Sequence, residues 1–455
     1  MNSISSLRFT NNLFAPVSIA WLIIFRIAFG GILLWEVFRY FTKNWIYRYW
    51  IEPKFHFKYF GFEWVEPLPG PQMHLLWFML GMASMCIMLG LFYRISVFIF
   101  LFGFTYCFLL EQARYLNHFY FVILVCFLMV LVPAHHAFSL DSLRKPKIKS
   151  NTCPIWSLYV LRVQLGIVYC YAGLSKLNYD WLHGKPFGYW LSKRTDFPII
   201  GNYFTEEWVI LSFCYGGLLF DLLIVFFLLY KRTRVIAFIV AVLFHLTNAF
   251  LFKIGIFPWF AMAMTTIFFA PNWPVDLIQK FSFFKTDGLP DSSVSDNPNQ
   301  YISTIKKKIL LTVLVCFIAI QLLVPFRHFL YPGNVSWTEE GHLFSWHMKL
   351  RSKSTDIRFY IKDVASGREW FVDTKKYLKS WQSRKMGARP ELILQFAHYL
   401  QKIKNPQNDS PVEVRVSARC GLNGREKQYL IDPKADLTKI KSSLFPANWI
   451  VPLKD

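Results

Sequence analysis

The residues of this chain that could do chemistry are polar groups stranded in or beside long apolar runs. Asn117-His118 stands where one run begins, and Lys176 stands where another ends. Gln164, Asp221, His245 and Asn248 lie inside others. Burying such groups in hydrocarbon is costly, so each needs a partner or a task. Hydrogen bonding between helices explains Gln164, Asp221 and Asn248 without any function. Lys176 has two readings. A lysine at a helix end can snorkel its ammonium to the membrane interface. A lysine buried among Tyr, Leu and Trp can instead lose its proton, because apolar surroundings disfavour the cation, and so become a base. The helix C-terminus opposes that, since its end of the dipole favours positive charge. The sequence has no GxSxG, P-loop, HExxH or kinase signature. His135-His136, beside Pro133, is read as an interface pair, and no metal is expected.

The elements that hold these groups follow from composition. Of the 455 residues, 54% are hydrophobic, 19% aromatic and only 17% charged, with a net charge of +22. Soluble domains carry about a quarter charged residues. A plain soluble enzyme, a disordered chain and a collagen-like fibre are therefore excluded. The basic excess means either nucleic-acid binding or membrane orientation. The apolar residues decide for the membrane, because they come in nine spans. These are Ala15–Trp35, Met73–Phe92, Ile95–Leu110, Phe119–Val132, Ile155–Leu174, Trp208–Tyr230, Val235–Phe252, Ile254–Ala270 and Ile309–Phe326. The third and fourth are short, and the eighth follows the seventh with almost no loop. Cytoplasmic loops are rich in Lys and Arg. The two densest clusters, Arg144 to Lys149 and Lys231 to Arg234, share one side if the N-terminus is cytoplasmic. Nine spans then leave everything after Phe326 outside. The first run is too long for a secretory h-region and reads as an uncleaved signal anchor. Seven of the eight cysteines lie in or beside helices with no CxxC pair, so they read as small buried hydrophobes.

The predicted fold class is a mainly α polytopic membrane bundle of about nine transmembrane helices, followed by an α+β, sheet-containing extracytoplasmic domain. Residues 1–271 form the helical membrane domain with eight spans, and 272–308 form a polar linker. Residues 309–331 form the last transmembrane helix, and 332–455 the soluble domain. The linker carries the Gly/Pro/Ser-rich stretch 287–300. In the tail, Ile357–Asp363 and Arg368–Asp373 alternate with period two around Ala365-Ser-Gly367, which predicts a hairpin. Glu391–Ile403 has helical spacing after Pro390. Val412–Arg419 and Gln428–Asp432 are further strand candidates.

Five separated motifs then resemble one family. Tyr169-Cys-Tyr-Ala-Gly-Leu-Ser-Lys-Leu-Asn-Tyr-Asp-Trp-Leu-His-Gly184 is similar to the segment around the active-site lysine of vitamin K-dependent gamma-glutamyl carboxylases. Leu116-Asn-His118 lies 58 residues before Lys176 and resembles their Asn-His pair. Phe244-His-Leu-Thr-Asn248 with Ile254-Gly-Ile-Phe-Pro258 resembles a further membrane motif. Trp337 with Phe344-Ser-Trp-His-Met348, and Asn423-Gly-Arg425 with Ile431-Asp-Pro433, resemble two segments of the family's soluble part. The resemblance covers nearly the whole chain in order. It implies a compact, bacterial-type homologue with a horizontally transferred transmembrane domain.

The resemblance implies a reaction as well. A reduced vitamin K hydroquinone (menaquinone or phylloquinone) is deprotonated and reacts with O2 to give a strongly basic oxygenated quinone. That base removes the γ-hydrogen of a peptidyl glutamate, and CO2 adds to the carbanion. The cofactor carries the hard chemistry. Lys176 would be the starting base. Asn117 would hold the hydroquinone oxygen, and His118 would serve the carbanion side. Ser345 and Trp346 would line the glutamate surface, and Arg425 would meet a carboxylate. The structural readings beside these are a helix cap for Asn117-His118, sheet-core packing for Ser345 and Trp346, and a solvated loop for Arg425.

The chain also departs from the family pattern. Arg351 stands at the family's histidine position, and Lys353 at its arginine position two residues on. The arginine expected after the lysine segment falls near Ser192, within reach of Lys193 or Arg194. These departures all touch the glutamate or CO2 half of the reaction. Two alternatives therefore stay open: a quinol oxygenase or epoxidase without carboxylation, and a non-catalytic transporter or assembly factor. The implied partners are the lipid bilayer, a quinone and a glutamate-containing peptide or protein, and no nucleic acid. The implied location is a bacterial inner membrane, or the endoplasmic reticulum with a lumenal active site in a eukaryotic host.

Overall fold

A computed structural model describes residues 12–252, 254–281, 303–404 and 411–454. The 287–300 stretch of the predicted linker lies outside the described residues. Each of the nine apolar runs is helical: α1 (Ala20–Thr42), α2 (Gly70–Leu89), α3 (Tyr93–Leu109), α4 (Asn117–Leu131), α5 (Trp156–Leu174), α6 (Glu207–Leu229), α7 (Arg234–Phe252), α8 (Phe257–Thr265) and α9 (Thr304–Leu323). Six are long and apolar enough to cross a membrane: α1, α2, α5, α6, α7, and α9 with its continuation to Leu330. The other three are shorter apolar helices, α3, α4 and the Phe257–Phe268 run. The 15 residues of α4 rise only about 22 Å, against a hydrocarbon layer of ~30 Å. Apolar composition thus locates all nine helices, while length supports six as spans. Residues 273–281 and 304–308, assigned to the linker by their polarity, are helical too.

The bundle has two distinct ends. At one, β1 (Pro16–Ser18) pairs antiparallel with β2 (Thr152–Pro154), tying the start of α1 to the start of α5. Arg26 of α1 donates to the Phe138 carbonyl there at 2.5 Å, and Asp141 accepts from the backbone N–H groups of Phe92 and Tyr93 where α3 starts. The basic connections 144–149 and 231–234 join helices at this end. At the other end lie the connections between α1 and α2 and between α3 and α4, and on them sits the C-terminal domain.

That domain is α+β. β3 (Lys353–Asp363), β4 (Glu369–Val372), β5 (Val412–Leu422) and β6 (Gln428–Tyr429) form one antiparallel sheet in the order β4-β3-β5-β6. Gly367 takes φ +67° in the predicted hairpin turn, a conformation glycine adopts without steric cost. The alternation read from the sequence is a register: Phe359 faces Val416, and Ile361 faces Val414. These four are fully buried with Leu392, Phe396 and Leu400 of α11 (Pro390–Lys404), which follows α10 (Ser380–Gly387).

The two domains share a polar seam. Gln395 of α11 bonds the backbone of Lys58 reciprocally, at 2.9 Å in each direction. Gln382 of α10 donates to the Phe55 carbonyl at 2.7 Å and to Glu111 at 3.0 Å, and Arg389 donates to the Gln112 carbonyl at 3.0 Å. Phe57 and Ala113, from loops of the bundle, complete the core of the C-terminal domain.

Candidate active site

Lys176 follows the end of α5, and its side chain is almost wholly buried. The residue is 6% exposed. Its ammonium donates to the Ala172 carbonyl at 3.0 Å and to the carboxylate of Asp221 in α6, and lies 5.3 Å from the Trp181 ring centroid. Asp221 is equally buried, so the two form an ion pair shielded from solvent. Snorkelling is therefore not what this lysine does. The pair needs α5 and α6 close together, and Gly173 permits it. A Cβ at Gly173 would lie 2.6 Å from Leu222 Cδ2 and 3.1 Å from the Leu222 backbone nitrogen. Gly173→Val is expected to push the helices apart and destabilise the protein by about 1–3 kcal/mol. Thermal unfolding in nanodiscs measures that loss.

The turn after Lys176 is built to cover it. Asn178 caps the short helix Tyr179–Leu182 by accepting from the Trp181 N–H at 3.0 Å. The Trp181 indole N–H donates to the Cys214 carbonyl at 2.8 Å, which holds its ring beside the ammonium. Next to it, Asp180 accepts both arms of Arg425, each at 2.8 Å, and the Asn423 amide at 2.7 Å. Burial pushes the Asp180 carboxyl up. The hydrogen bonds from Arg425 and Asn423, then the charges of Arg425 and Lys185, outweigh it and hold the carboxyl below the usual range. Asn423 is fixed in turn, since its carbonyl oxygen accepts from the Ser352 N–H at 2.7 Å. The C-terminal domain therefore grips the chain four residues beyond Lys176.

A cavity of about 820 Å³ lies at this junction. Ser175, Leu177, Asn178 and Asp180 line it from the bundle, His328 and Tyr331 from the segment after α9, and His347, Asn423 and Arg425 from the C-terminal domain. Burial, followed by the charges of His328 and Arg351, pushes His347 down to about 3, so the ring is neutral at physiological pH.

Asn117 reaches the same region. Its carbonyl oxygen accepts from the Tyr115 hydroxyl at 2.7 Å, and its amide donates to the His347 carbonyl at 3.3 Å. His118 turns inward, 6.1 Å from the Phe257 ring centroid. On Phe257 also sits His245, whose Nε2 is 2.7 Å from the hydroxyl of Tyr169 in α5. Asn117 and His118 open α4 and Lys176 follows α5, so all three stand at the same end of the bundle, with Asn117 tied to His347 and His118 sharing Phe257 with His245.

Ser345 donates to the Gly341 carbonyl at 2.5 Å. Trp346, at φ +58°, does not enter the sheet core. It packs in the bundle core, stacked on Tyr120 at 5.2 Å and edge-on to Phe121 at 6.1 Å. Arg425 is not a free loop cation: partly buried, it lines the cavity and grips Asp180. Arg351 makes a two-point contact with Glu339. Lys353 spends its three donors on Glu339 at 2.9 Å and on the Trp337 and Ala388 carbonyls at 2.7 and 2.8 Å. Burial raises the Glu339 carboxyl, but the charges of Arg351, Lys353 and Arg389 hold it below the usual range. Arg194 donates to the carbonyls of Phe250 and Leu251, so it satisfies the C-terminal end of α7. Asp180 and Trp181 carry no role in the sequence reading, and Asp221 reads there as an interhelical contact. A carboxylate in an apolar helix, and Asp-Trp just beyond the lysine, are the sequence signals for them.

Comparison with known families accounts for both halves of the chain. The HTTM domain family matches residues 14–273. The family described as "Vitamin K-dependent gamma-carboxylase, lumenal domain" matches residues 306–455. No solved structure matches the chain. Matched in this order over nearly all of its length, the chain belongs to the vitamin K-dependent gamma-carboxylase family.

Proposed function

We propose that this protein is a membrane enzyme that carboxylates peptidyl glutamate, driven by reduced vitamin K and O2. The observation that carries the reading is the buried Lys176–Asp221 pair, with Ser175 and Leu177 on either side of the lysine lining the interdomain cavity. The cavity suits a quinol. Its volume falls within the range of about 300–1,000 Å³ typical of small-molecule sites. Leu174, Leu177 and Phe329 give it an apolar side toward the lipid-exposed ends of α5 and α9, and Asn178 and His347 supply polar atoms. When bound, the reduced vitamin K supplies with O2 a base stronger than any side chain, which is what a glutamate γ-C–H requires.

The residues divide the remaining work. Lys176 takes the first phenolic proton. Its partner Asp221 accepts a proton along the existing hydrogen bond, so the amine can turn neutral without a net change in buried charge. One Asn117 amide N–H is held by the His347 carbonyl and its carbonyl oxygen by the Tyr115 hydroxyl, and the second amide N–H binds the phenolic oxygen. His118 serves the carbanion from the apolar side. Ser345 shapes the loop that sets Trp346 against the bundle, under the glutamate surface. Arg425 meets the glutamate carboxylate at the cavity wall, with Asp180 as its resting partner. Arg351, Lys353 and Arg194 support these elements through their present partners.

A second reading, quinol epoxidation without carboxylation, draws on one observation. Glu339 already engages Arg351 and Lys353, two cations nominated for glutamate. Incubating the protein in nanodiscs with vitamin K hydroquinone tests the shared first half. Epoxide formation is expected, and its absence overturns both readings. The cavity also has to face away from the cytoplasm. A reporter fused after Lys149 is expected to be cytoplasmic and one after Gly184 external, and the reverse pattern contradicts the orientation.

A further inference from the structure

We infer that the loop 441–446 inserts its apolar tip, Leu444 and Phe445, into the lipid bilayer surface beside the end of α9. Leu444 is 62% exposed and Phe445 80%, in a loop otherwise built of Lys, Ser and Pro. The tip is held in place. The Tyr331 hydroxyl donates to the Leu444 carbonyl at 2.9 Å, and the Ala447 N–H donates to the Glu340 carboxylate at 2.8 Å. Both partners belong to the segment that directly continues α9, a candidate span running to Leu330.

The level of that segment follows from helix geometry. From Lys308, the last of three lysines at the start of α9, through the 3-10 turn Val324–Leu330 the rise is about 36 Å, enough to cross the ~30 Å hydrocarbon layer. Leu330 therefore emerges at the headgroups, and Tyr331 occupies the depth where interfacial aromatics sit. Phe326, Phe329 and Leu330 are all exposed there, so Leu444 and Phe445 extend an apolar patch that begins on the span itself. Lys441, exposed on the same stretch, suits the lipid phosphates, while the neighbouring Lys439 pairs with Asp436 at 3.3 Å. Phe329 and Tyr331 also line the cavity, but Phe326 and Leu330 carry the patch along the span, and that continuity makes lipid the occupant in preference to a peptide. The inserted tip gives the C-terminal domain a second membrane attachment next to α9, whatever reaction the site performs.

The test is photocrosslinking of the full chain in phosphatidylcholine liposomes whose acyl chains carry an alkyne tag. The variant Phe445→p-benzoylphenylalanine is expected to give roughly tenfold more tagged-lipid adduct than the same probe at Phe371, an exposed residue of strand β4. The probe at Leu444 provides a second position should the first variant fold poorly. Equal lipid labelling at Phe371 and the tip overturns the inference. So does an adduct with added glutamyl peptide in place of lipid, which would make the tip a peptide surface.

Discussion

Lys176→Ala is expected to reduce epoxide formation and glutamate carboxylation together, by about 10²–10⁴-fold, the usual worth of a positioned general base. The two must fall together because the quinol step precedes carboxylation. The substitution has a structural side as well. It leaves Asp221 buried without its cation, and breaking one side of a buried pair costs about 3–5 kcal/mol. Loss of activity alone would therefore not separate chemistry from folding. The paired variant Lys176→Met with Asp221→Leu separates them. Replacing both partners with apolar residues of similar size is neutral or stabilising by about 1–4 kcal/mol. The double variant is expected to regain thermal stability and remain inactive. Epoxide yield and Tm, measured on both variants, check this. An active double variant would show that Lys176 is not the base.

Arg425→Ala is expected to have the second largest effect, acting on two quantities at once. It strips Asp180 of a two-point partner and leaves Asn423 alone to satisfy a buried carboxylate. Asp180 adjoins Trp181, which lies on the Lys176 ammonium, so a loosened clamp lowers kcat. Loss of the guanidinium from the cavity wall raises KM for the glutamyl peptide, by roughly tenfold or more for a charge-assisted bond worth about 1.5–3 kcal/mol. Asp180→Asn removes the clamp charge and keeps Arg425, so it is expected to lower kcat with little rise in KM. Steady-state kinetics on the two variants make the comparison, and identical KM and kcat changes would contradict it. The sign of the pH dependence also follows. The Asp180 carboxyl is held below its usual range, so its share of stability is complete above the ordinary carboxylate pKa of about 3.9. That share is lost only as the pH falls through the lower folded value. The clamp is thus intact at neutral pH.

Much of this was readable from residue order. Apolar runs mark α1 to α9 because a helix facing the core or lipid needs little else, and strict alternation marks β3 and β5 because the sheet buries one face against α11. The number of spans was not readable in the same way. Apolar character does not fix length, and α3, α4 and α8 are long enough to pack but short for a bilayer. The site divides similarly. Lys176 and Asn117 stand out because polar residues are rare in apolar runs. Their partners depend on which helices touch, so Asp221, 45 residues away, passed for an ordinary interhelical contact. The cations of the tail show the same limit. Composition makes Arg351, Lys353 and Arg194 equal candidates with Arg425, and only the fold shows Glu339 and the end of α7 engaging those three.

The central claim is carboxylation coupled to quinol oxidation, and labelled CO2 tests it most directly. The protein in nanodiscs is given vitamin K hydroquinone, O2, a glutamate-containing peptide and labelled CO2, and peptide label and epoxide are counted in the same reaction. The account predicts label in the peptide that depends on hydroquinone and rises in step with epoxide. Epoxide without peptide label would contradict it and leave a quinol epoxidase of the same fold.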